Sequence, residues 1–163
     1  MQRSIIRSAL VATALSLAAC GSSPRAQWAP TSSGTFGNLI FNRGHITLSQ
    51  QIQFATNSDE IQEGQSEAVL RDLAALLRDN QQIRRVRIEG HTDLRGDAAT
   101  NLDLSTRRAR SVATYLQSHG ATNVSFEPVG YGVTQPVCRE DNDGCHDRNR
   151  RVEFTVTDPA PAQ

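Results

Sequence analysis

The chain has 163 residues, and its 17 Lys and Arg side chains balance its 17 Asp and Glu side chains, so the formal charge at neutral pH is zero. This length suits one ordinary domain with appended segments, and the neutral balance gives no sign of the basic face that nucleic-acid binding requires.

Residues 1–19 have the pattern of an export signal. Arg3 and Arg7 give a positive beginning, and an apolar stretch over 9–19 follows them. This stretch is too short to span a bilayer, which takes about 20 apolar residues. The pattern therefore predicts a lipoprotein signal peptide, because the LAAC sequence at 17–20 resembles a bacterial lipobox, in which the cysteine is acylated and becomes the mature N-terminus.

Cys20 is accordingly predicted to carry the lipid anchor, since several acyl chains hold a protein on a membrane stably. The residue directly after the cysteine is Gly21 rather than Asp, and in this it resembles lipoproteins that are sent to the outer membrane. A plain signal peptide with an unmodified cysteine is the alternative. Residues 20–44 are predicted to be the lipidated N-terminus and a flexible linker, because Gly, Ser, Thr and Pro are frequent there.

Residues 45–157 alternate between strand and helix patterns. The predicted elements, in chain order, are a strand over 45–54, a helix over 63–80, a strand over 83–90, a helix over 101–119, a strand over 124–129, a tight turn over 130–132, an irregular loop over 137–149 and a final strand beyond 151. The second helix is expected to bury a stripe formed by Leu102, Ala109, Val112, Ala113 and Leu116. Pro128 indicates an edge strand or a strand end, and Gly90 indicates a close backbone approach or a bend.

This order predicts an α/β sandwich, a βαβαββ domain with two helices packed on one face of a mixed sheet of about four strands. The Pro- and Ala-rich segment 158–163 is predicted to be a disordered tail.

A carboxylate and a guanidinium are placed where such a fold binds ligands. Asp93 follows the predicted strand that ends at Gly90, and Arg108 lies on the next helix. Open α/β sheets hold ligands outside the carboxyl ends of their strands. Asp93 could take an ammonium group while Arg108 takes a carboxylate through two parallel hydrogen bonds, so the pair suits a zwitterion. An internal Asp93–Arg108 salt bridge explains the same residues, and spacing alone favours neither.

Several motifs in order resemble one family. The sequence GHTD at 90–93, followed by Asn101, Arg108, the GYG at 130–132 and NRRVEF at 149–154, resembles the OmpA-like C-terminal domain of the OmpA porin, the peptidoglycan-associated lipoprotein and the stator protein MotB. The resemblance covers roughly 45–157. It implies the OmpA-like fold and noncovalent binding of peptidoglycan at its diaminopimelate side chain, which is a zwitterion, and so favours the ligand interpretation.

The resemblance also implies that Asn57, Asn101 and Arg150 line the ligand groove with Asp93 and Arg108. From the residues alone, Asn57 could simply turn the chain, and Asn101 could cap its helix. No cofactor is implied.

The region 137–149 departs from the plainest form of the family. Its acidic run at 141–144 is similar to a calcium loop, but Arg139 stands where the first ligand belongs and no Glu closes the loop. Zinc binding by Cys138, Cys145 and His146 lacks the usual ligand spacing. A Cys138–Cys145 disulfide is the simpler prediction in an oxidising compartment, with no metal.

His91 could form a catalytic triad with Asp93 and Ser105. The chain has no Gly-x-Ser-x-Gly elbow, however, and Ser105 lies inside a predicted helix. His91 is therefore predicted to be structural, with its ring hydrogen-bonded locally.

Together these features predict an outer-membrane lipoprotein, with its domain in the periplasm, that binds peptidoglycan and tethers the membrane to the cell wall. A periplasmic adaptor, such as a Tol–Pal component or a regulator of a membrane partner, is the alternative and would use the same domain. A cell-wall hydrolase is less favoured, because the sequence offers no convincing nucleophile, carboxylate pair or metal cluster.

Overall fold

The computed structural model describes residues 34–36, 38–42, 44–62 and 64–157. The predicted signal peptide, Cys20 and the predicted tail lie outside these ranges. Within them, no helix combines the length and the apolar character that crossing a membrane requires.

A mixed sheet forms one layer of the fold. Its strands are β1 (Gly34–Phe36), β2 (Leu39–Asn42), β3 (His45–Leu48), β4 (Arg85–His91), β5 (Ser125–Gly132) and β6 (Val152–Val156), in the spatial order β1-β2-β3-β6-β4-β5. Only β4 and β5 pair in parallel. The helices α1 (Gln65–Asp79), α2 (Ala98–Ser118) and α3 (Asp143–Asn149) complete the fold. The predicted α/β sandwich is confirmed.

The sheet has six strands rather than about four, because β1 and β2 lie in the segment predicted as linker. The prediction of 20–44 as flexible is therefore wrong for this hairpin. Strands of three and four residues are too short to show an alternating pattern within a Gly- and Ser-rich segment. Leu39, which is only 1% exposed, fixes β2 against the core.

The strand predicted over 45–54 ends at Leu48. Ile52 is still buried and Phe54 half-buried, but Phe54 makes only an isolated bridge to Ile61. The backbone N–H of Gln53 donates to Ser66 Oγ at 2.8 Å instead of to a neighbouring strand. The side chain of a helix residue has replaced the sheet hydrogen bond, which the apolar pattern could not show.

The core lies between the sheet and the two long helices. Buried side chains on α1 and α2 pack against the inward face of the sheet, and each large one contributes about 1.5–3 kcal/mol through removal from water. The central members are Val69, Leu73 and Leu77 from α1, Ala109, Val112 and Leu116 from α2, and Val86, Ile88 and Phe154 from the sheet. Leu102, predicted in the buried stripe, is 49% exposed, because it lies in the first turns of α2, beside the outermost strand.

Glycines in β4 and β5 let α2 approach the sheet closely. A Cβ at Gly90 would lie 2.3 Å from the carbonyl oxygen of Ser105 in α2. The turn predicted over 130–132 is wrong, because these residues continue β5, which is an outer strand as Pro128 indicated. The close approach sets the end of β4 against the first turns of α2.

The loop predicted over 137–149 contains α3, whose N-cap Asn142 accepts a hydrogen bond from the backbone N–H of Cys145 at 2.8 Å. The capping role gives Asn142 a structural function within the run at 141–144 that is similar to a calcium loop. The predicted Cys138–Cys145 disulfide is confirmed and joins the segment before α3 to the helix itself.

Candidate functional site

A cleft of about 470 Å³ opens where β4 ends and α2 begins. A β-bulge marks this end of β4, because Tyr131 is an extra residue between the partners of Gly90 and His91. Bulges often lie next to functional sites, where they redirect the chain. The lining residues are Phe54, Thr56, Asn57, Thr92, Asp93, Arg95, Gly96, Asn101, Leu104, Arg108 and Arg150. The structure thus brings all five residues predicted for the groove to one place.

Asp93 is the anionic centre of the cleft. Backbone hydrogen bonds hold the two residues before it on both sides. The His91 N–H donates to the backbone oxygen of Arg151, and the Thr92 N–H donates to the backbone oxygen of Gly132. Burial alone would raise the pKa of Asp93, but hydrogen bonds from Arg95 and Arg150 outweigh burial and hold the pKa below its usual value. Asp93 therefore stays ionised at neutral pH.

Three donors surround the Asp93 carboxylate. The backbone N–H of Arg95 donates to Oδ1 at 3.1 Å, and the Arg95 guanidinium donates to Oδ2 at 3.0 Å. Nη1 of Arg150 donates to the same Oδ2 at 2.7 Å. Arg150 also pairs with Asp147 in α3. Arg95, Asp93, Arg150 and Asp147 form a chain of two positive and two negative groups, in which the charges cancel.

Arg108 stands apart from this chain. Its Nε donates to the backbone oxygen of Ser58 at 3.0 Å, and its guanidinium lies 4.8 Å from the centre of the Phe54 ring. Within the described ranges it forms no ion pair, so the internal Asp93–Arg108 salt bridge is not present. Burial, together with the positive charges of Arg150 and Arg107, lowers the pKa of Arg108. An unmatched, half-buried cation therefore faces the cleft.

The two asparagines shape the cleft wall. Asn57 has a φ of 53°, a left-handed conformation that asparagine tolerates better than most residues, so it turns the chain and lines the cleft as well. Asn101 does not cap α2, because Asp97 is the N-cap. Nδ2 of Asn101 instead donates to the backbone oxygens of Arg95 and Asp97, which braces the loop that carries Arg95.

Sequence reasoning missed Arg95 and Phe54 as members of the site. Arg95 had a local signal, since an Asp side chain often accepts the backbone N–H two residues later and so forms a turn. Phe54 had no such signal, because its contact with Arg108 depends on how the segment after β3 folds onto α2.

His91 and Ser105 do not form a catalytic pair. Ser105 Oγ donates to Leu102 O at 2.9 Å and accepts from the Gly132 N–H at 3.0 Å. His91 is 3% exposed, stacks on Tyr131, and has no hydrogen-bond partner for either ring nitrogen in the described structure. The prediction of a local hydrogen bond from this ring is therefore wrong. Burial lowers the pKa of His91, so the ring is neutral at pH 7.

In the part of the chain that the structure describes, no cluster of three or more His, Cys, Asp or Glu side chains is arranged to hold a metal ion. His146 instead pairs through Nε2 with Asp141 at 3.0 Å, and Cys138 and Cys145 are joined in the disulfide.

Similarity to known proteins agrees with this architecture. The chain is 42% identical over 84 residues to the peptidoglycan-associated lipoprotein of Buchnera aphidicola. The aligned stretch covers 50% of this chain and 47% of that protein. It is 34% identical over 109 residues to the outer-membrane lipoprotein YfiB of Pseudomonas aeruginosa, over 67% of this chain and 64% of that one. The chain thus spans about half to two thirds of the length of these relatives.

Among solved structures, the peptidoglycan-associated lipoprotein from Burkholderia pseudomallei shares the fold, with a TM-score of 0.57 and 30% sequence identity over 66% of this chain and 91% of that chain. The profile of the OmpA family matches residues 53–150, which include β4 and β5, all three helices and every predicted cleft residue. The chain belongs to the OmpA family.

Proposed function

We propose that this protein binds peptidoglycan noncovalently and that the cleft takes the zwitterionic end of a diaminopimelate side chain. The observation that carries the proposal is that Asp93 and Arg108 line one cleft without pairing with each other. Two relatives are peptidoglycan-associated lipoproteins by name, which supports the choice of polymer.

The hydrogen bonds in the cleft leave room for both ends of a zwitterion. A carboxylate has about four acceptor positions, and Asp93 uses three of them, two of these on Oδ2. Oδ1 therefore keeps a position for an ammonium group. Only Nε of Arg108 is engaged by a described residue, which leaves its two terminal nitrogens for a ligand carboxylate. Requiring both contacts excludes molecules that carry only one of the charges.

The remaining cleft residues have supporting roles in this proposal. Asn57 and Asn101 present amides along the wall, and Arg150 fixes Asp93 while it faces the ligand carboxylate itself. Binding of Tol-system proteins, the alternative drawn from the resemblance, would use the same domain and stays a prediction.

We propose further that acylated Cys20 anchors the protein to the outer membrane and that the domain tethers this membrane to the cell wall from the periplasm. The LAAC sequence and the names of lipoprotein relatives support this assignment. Cys20→Ala should release the protein from the membrane fraction. An unmodified Cys20 in the mass spectrum of the membrane-extracted protein would refute the anchor.

Calorimetric titration with two synthetic wall peptides tests the binding proposal. One peptide carries diaminopimelate, and its matched control carries lysine, which keeps the ammonium group but lacks the neighbouring carboxylate. Losing one hydrogen-bonded charge pair costs about 2 kcal/mol in a partly solvated cleft, so the lysine peptide should bind about 30-fold more weakly. Equal affinities would contradict the zwitterion site, and release of soluble fragments from purified peptidoglycan would indicate a hydrolase instead.

A further inference from the structure

The cleft lies at one end of the sheet, and the opposite end has a surface that the proposed function does not use. β4 runs from Arg85 towards Thr92, which lines the cleft. β5 runs in the same direction, whereas β6 runs the opposite way and pairs its last residue, Val156, with Val86. The start of β4, the start of β5 and the end of β6 therefore form the end farthest from the cleft, which we call the basal end.

The described fold both begins and ends at the basal end. β3 is antiparallel to β6, β2 to β3, and β1 to β2, so β1 runs towards the cleft end of the sheet. Its first residue, Gly34, is opposite Phe41 near the end of β2 and thus lies at the basal end. The N–H of Thr157 donates to the backbone oxygen of Arg85 at 3.0 Å, which places the end of the described chain there as well.

Two exposed arginines stand at the basal end. The backbone oxygen of Arg84 accepts from the Ser125 N–H at 2.8 Å, and that of Arg85 accepts from the chain just after β6, so neighbouring strands hold both residues in place. Both side chains are exposed, and neither has an ion pair or a hydrogen bond with another described residue. By contrast, Arg87 on the same strand pairs with Glu127.

The other charged side chains described near the basal end are paired. Asn123 donates from Nδ2 to the backbone oxygen of Leu77 at 3.1 Å, which sets the last turn of α1 beside the start of β5. In that turn Arg78 pairs with Asp79 at 2.9 Å, so these two charges cancel. The basal end therefore presents the positive charges of two arginines, although the whole chain has no net formal charge. Such a local excess of one sign attracts a surface of the opposite sign.

We propose that the basal end faces the membrane and that Arg84 and Arg85 bind the phosphate groups of anionic phospholipids. This orientation rests on the anchor of the proposed function, Cys20, which lies 14 positions before Gly34. A chain of that length extends at most about 50 Å, so the anchor keeps the basal end near the lipid surface. Each arginine close to an anionic surface strengthens binding about fivefold.

The same orientation turns the cleft away from the membrane. The 7 residues of β4 span about 20 Å between the basal end and the cleft. A wall strand in the cleft and a membrane at the basal end would therefore contact opposite ends of one sheet. Neither has to displace the other, which is the arrangement that a tether between two surfaces requires.

Paramagnetic relaxation measured by nuclear magnetic resonance tests this orientation. The acylated protein is placed in nanodiscs that carry a spin label on the lipid headgroups. One set contains phosphatidylcholine with an equal amount of phosphatidylglycerol, which is anionic, and the other contains phosphatidylcholine alone. The label broadens the signals of nearby amides, and its effect falls steeply with distance. The amides of Gln82 and Thr122 report on the basal end, and those of Leu94 and Gly96 report on the cleft end.

A pair of double variants separates the basal end from charge in general. Arg84→Gln with Arg85→Gln removes the two positive charges without breaking a described side-chain contact. The control, Arg71→Gln with Arg110→Gln, changes the net charge equally at exposed positions on α1 and α2. Arg71 pairs only with Glu67 on the same helix among the described residues, so its loss should not disturb the fold.

We expect stronger broadening at the basal end than at the cleft end in the anionic nanodiscs. The basal double variant should lower the ratio of docked to undocked domain about 30-fold. Salt at about 1 M should also release the domain, because it shortens the Debye length to about 3 Å. The control should keep the native pattern. Equal broadening at the two ends, the same pattern in both lipid mixtures, or equal effects of the two double variants would overturn the proposal.

Two further measurements keep this result separate from the proposed function. If the purified protein carries no lipid on Cys20, the anchor fails, and the chain coupled through Cys20 to a maleimide lipid then decides whether the basal end binds anionic lipid. This coupling is selective, because Cys138 and Cys145 are joined in the disulfide.

Soluble wall fragments, added to the same samples, should perturb amides at the cleft end only. Fragments that leave the cleft end unperturbed would refute peptidoglycan binding in the cleft without affecting the result for the basal end. Fragments that perturb the basal end instead would assign its two arginines to the wall and overturn the proposal.

Discussion

Arg150 and Asp93 form an ion pair across 57 positions of sequence, with 2.7 Å between Nη1 and Oδ2. The pair joins the residue that follows α3 to the loop that follows β4. Because Arg150 and Arg95 neutralise Asp93 internally, the charge of Arg108 is left for a ligand. Arg150 therefore holds the cleft in position, and Arg108 is the arginine that the cleft presents to a ligand.

Arg108→Ala should weaken peptidoglycan binding about 30-fold, which corresponds to about 2 kcal/mol for a partly solvated charge pair. Arg108→Lys should not restore binding, because an ammonium cannot make the planar two-pronged contact. The matched control is Arg107→Ala, since Arg107 lies next to Arg108 on α2 but pairs with Asp59 and Asp103 outside the cleft. Co-sedimentation with purified peptidoglycan measures all three, and an equal loss in the control would count against the site.

Asp93→Asn should change the acid stability of the protein. The pKa of Asp93 is lower in the folded state than in the unfolded chain, where it is about 3.9. The ionised carboxylate therefore stabilises the fold above that value, and the contribution is lost as the pH falls through the lower folded pKa. Melting curves should show a steeper loss of stability below about pH 4 in the native protein than in the variant. Parallel curves for the two proteins would show that Asp93 contributes no such linkage.

Removing the disulfide should affect stability and binding together. The bond closes a loop with a sequence separation of 7, and loop-closure entropy for such a loop is worth about 2–3 kcal/mol. α3 ends next to Arg150, so loosening the helix should also let Arg150 move away from Asp93. Cys138→Ser with Cys145→Ser should lower the free energy of unfolding and weaken binding of the wall peptide. Unchanged affinity in a folded double variant would separate the disulfide from the site.

Replacing Asn149 should destabilise the fold more than replacing an asparagine usually does. Asn149 is fully buried, its Oδ1 accepts from the N–H groups of Val137 and Cys138, and its Nδ2 donates to Cys138 O at 2.8 Å. Asn149→Ala leaves these backbone groups without partners, each at a cost of about 1–3 kcal/mol. Denaturant unfolding should show the loss. Asn142→Ala is the control, because Asn142 is exposed and caps α3, and its replacement should lower the free energy of unfolding by only about 1 kcal/mol. Similar losses in the Asn149 and Asn142 variants would argue against the buried network.

Gly90→Ala tests the close approach of α2 to β4. The added Cβ would meet the Ser105 carbonyl oxygen at 2.3 Å, and a backbone atom cannot move aside without shifting the helix. We expect a loss of about 3 kcal/mol in the free energy of unfolding. Gly144→Ala is the control, because its nearest contact, Asn142 Oδ1 at 3.5 Å, is an ordinary one and α3 gains a better helix former. Equal stability of the two variants would contradict the packing argument.

The order of elements from β3 to β6 could be predicted because each element leaves a local pattern. The apolar residues of α1 recur at helical spacing, and those of β4 alternate, so the sequence itself predicts which face of each element is buried. The exceptions have local causes as well. β1 and β2 are too short to show a period, and the segment after β3 satisfies Gln53 through the Ser66 side chain rather than through a strand.

The sequence alone predicted five residues that line the cleft, because motif resemblance pointed to Asn57, Asp93, Asn101, Arg108 and Arg150 together. It did not predict Phe54 or Arg95, which line the cleft as well. Only the tertiary structure decided the pairing within it. Asp93 and Arg108 are 15 positions apart, yet Asp93 pairs with Arg150, which is 57 positions away. Sequence spacing limits which groups can meet, but the distances that decide an ion pair are set by how α3 and the disulfide seat Arg150 against the end of β4.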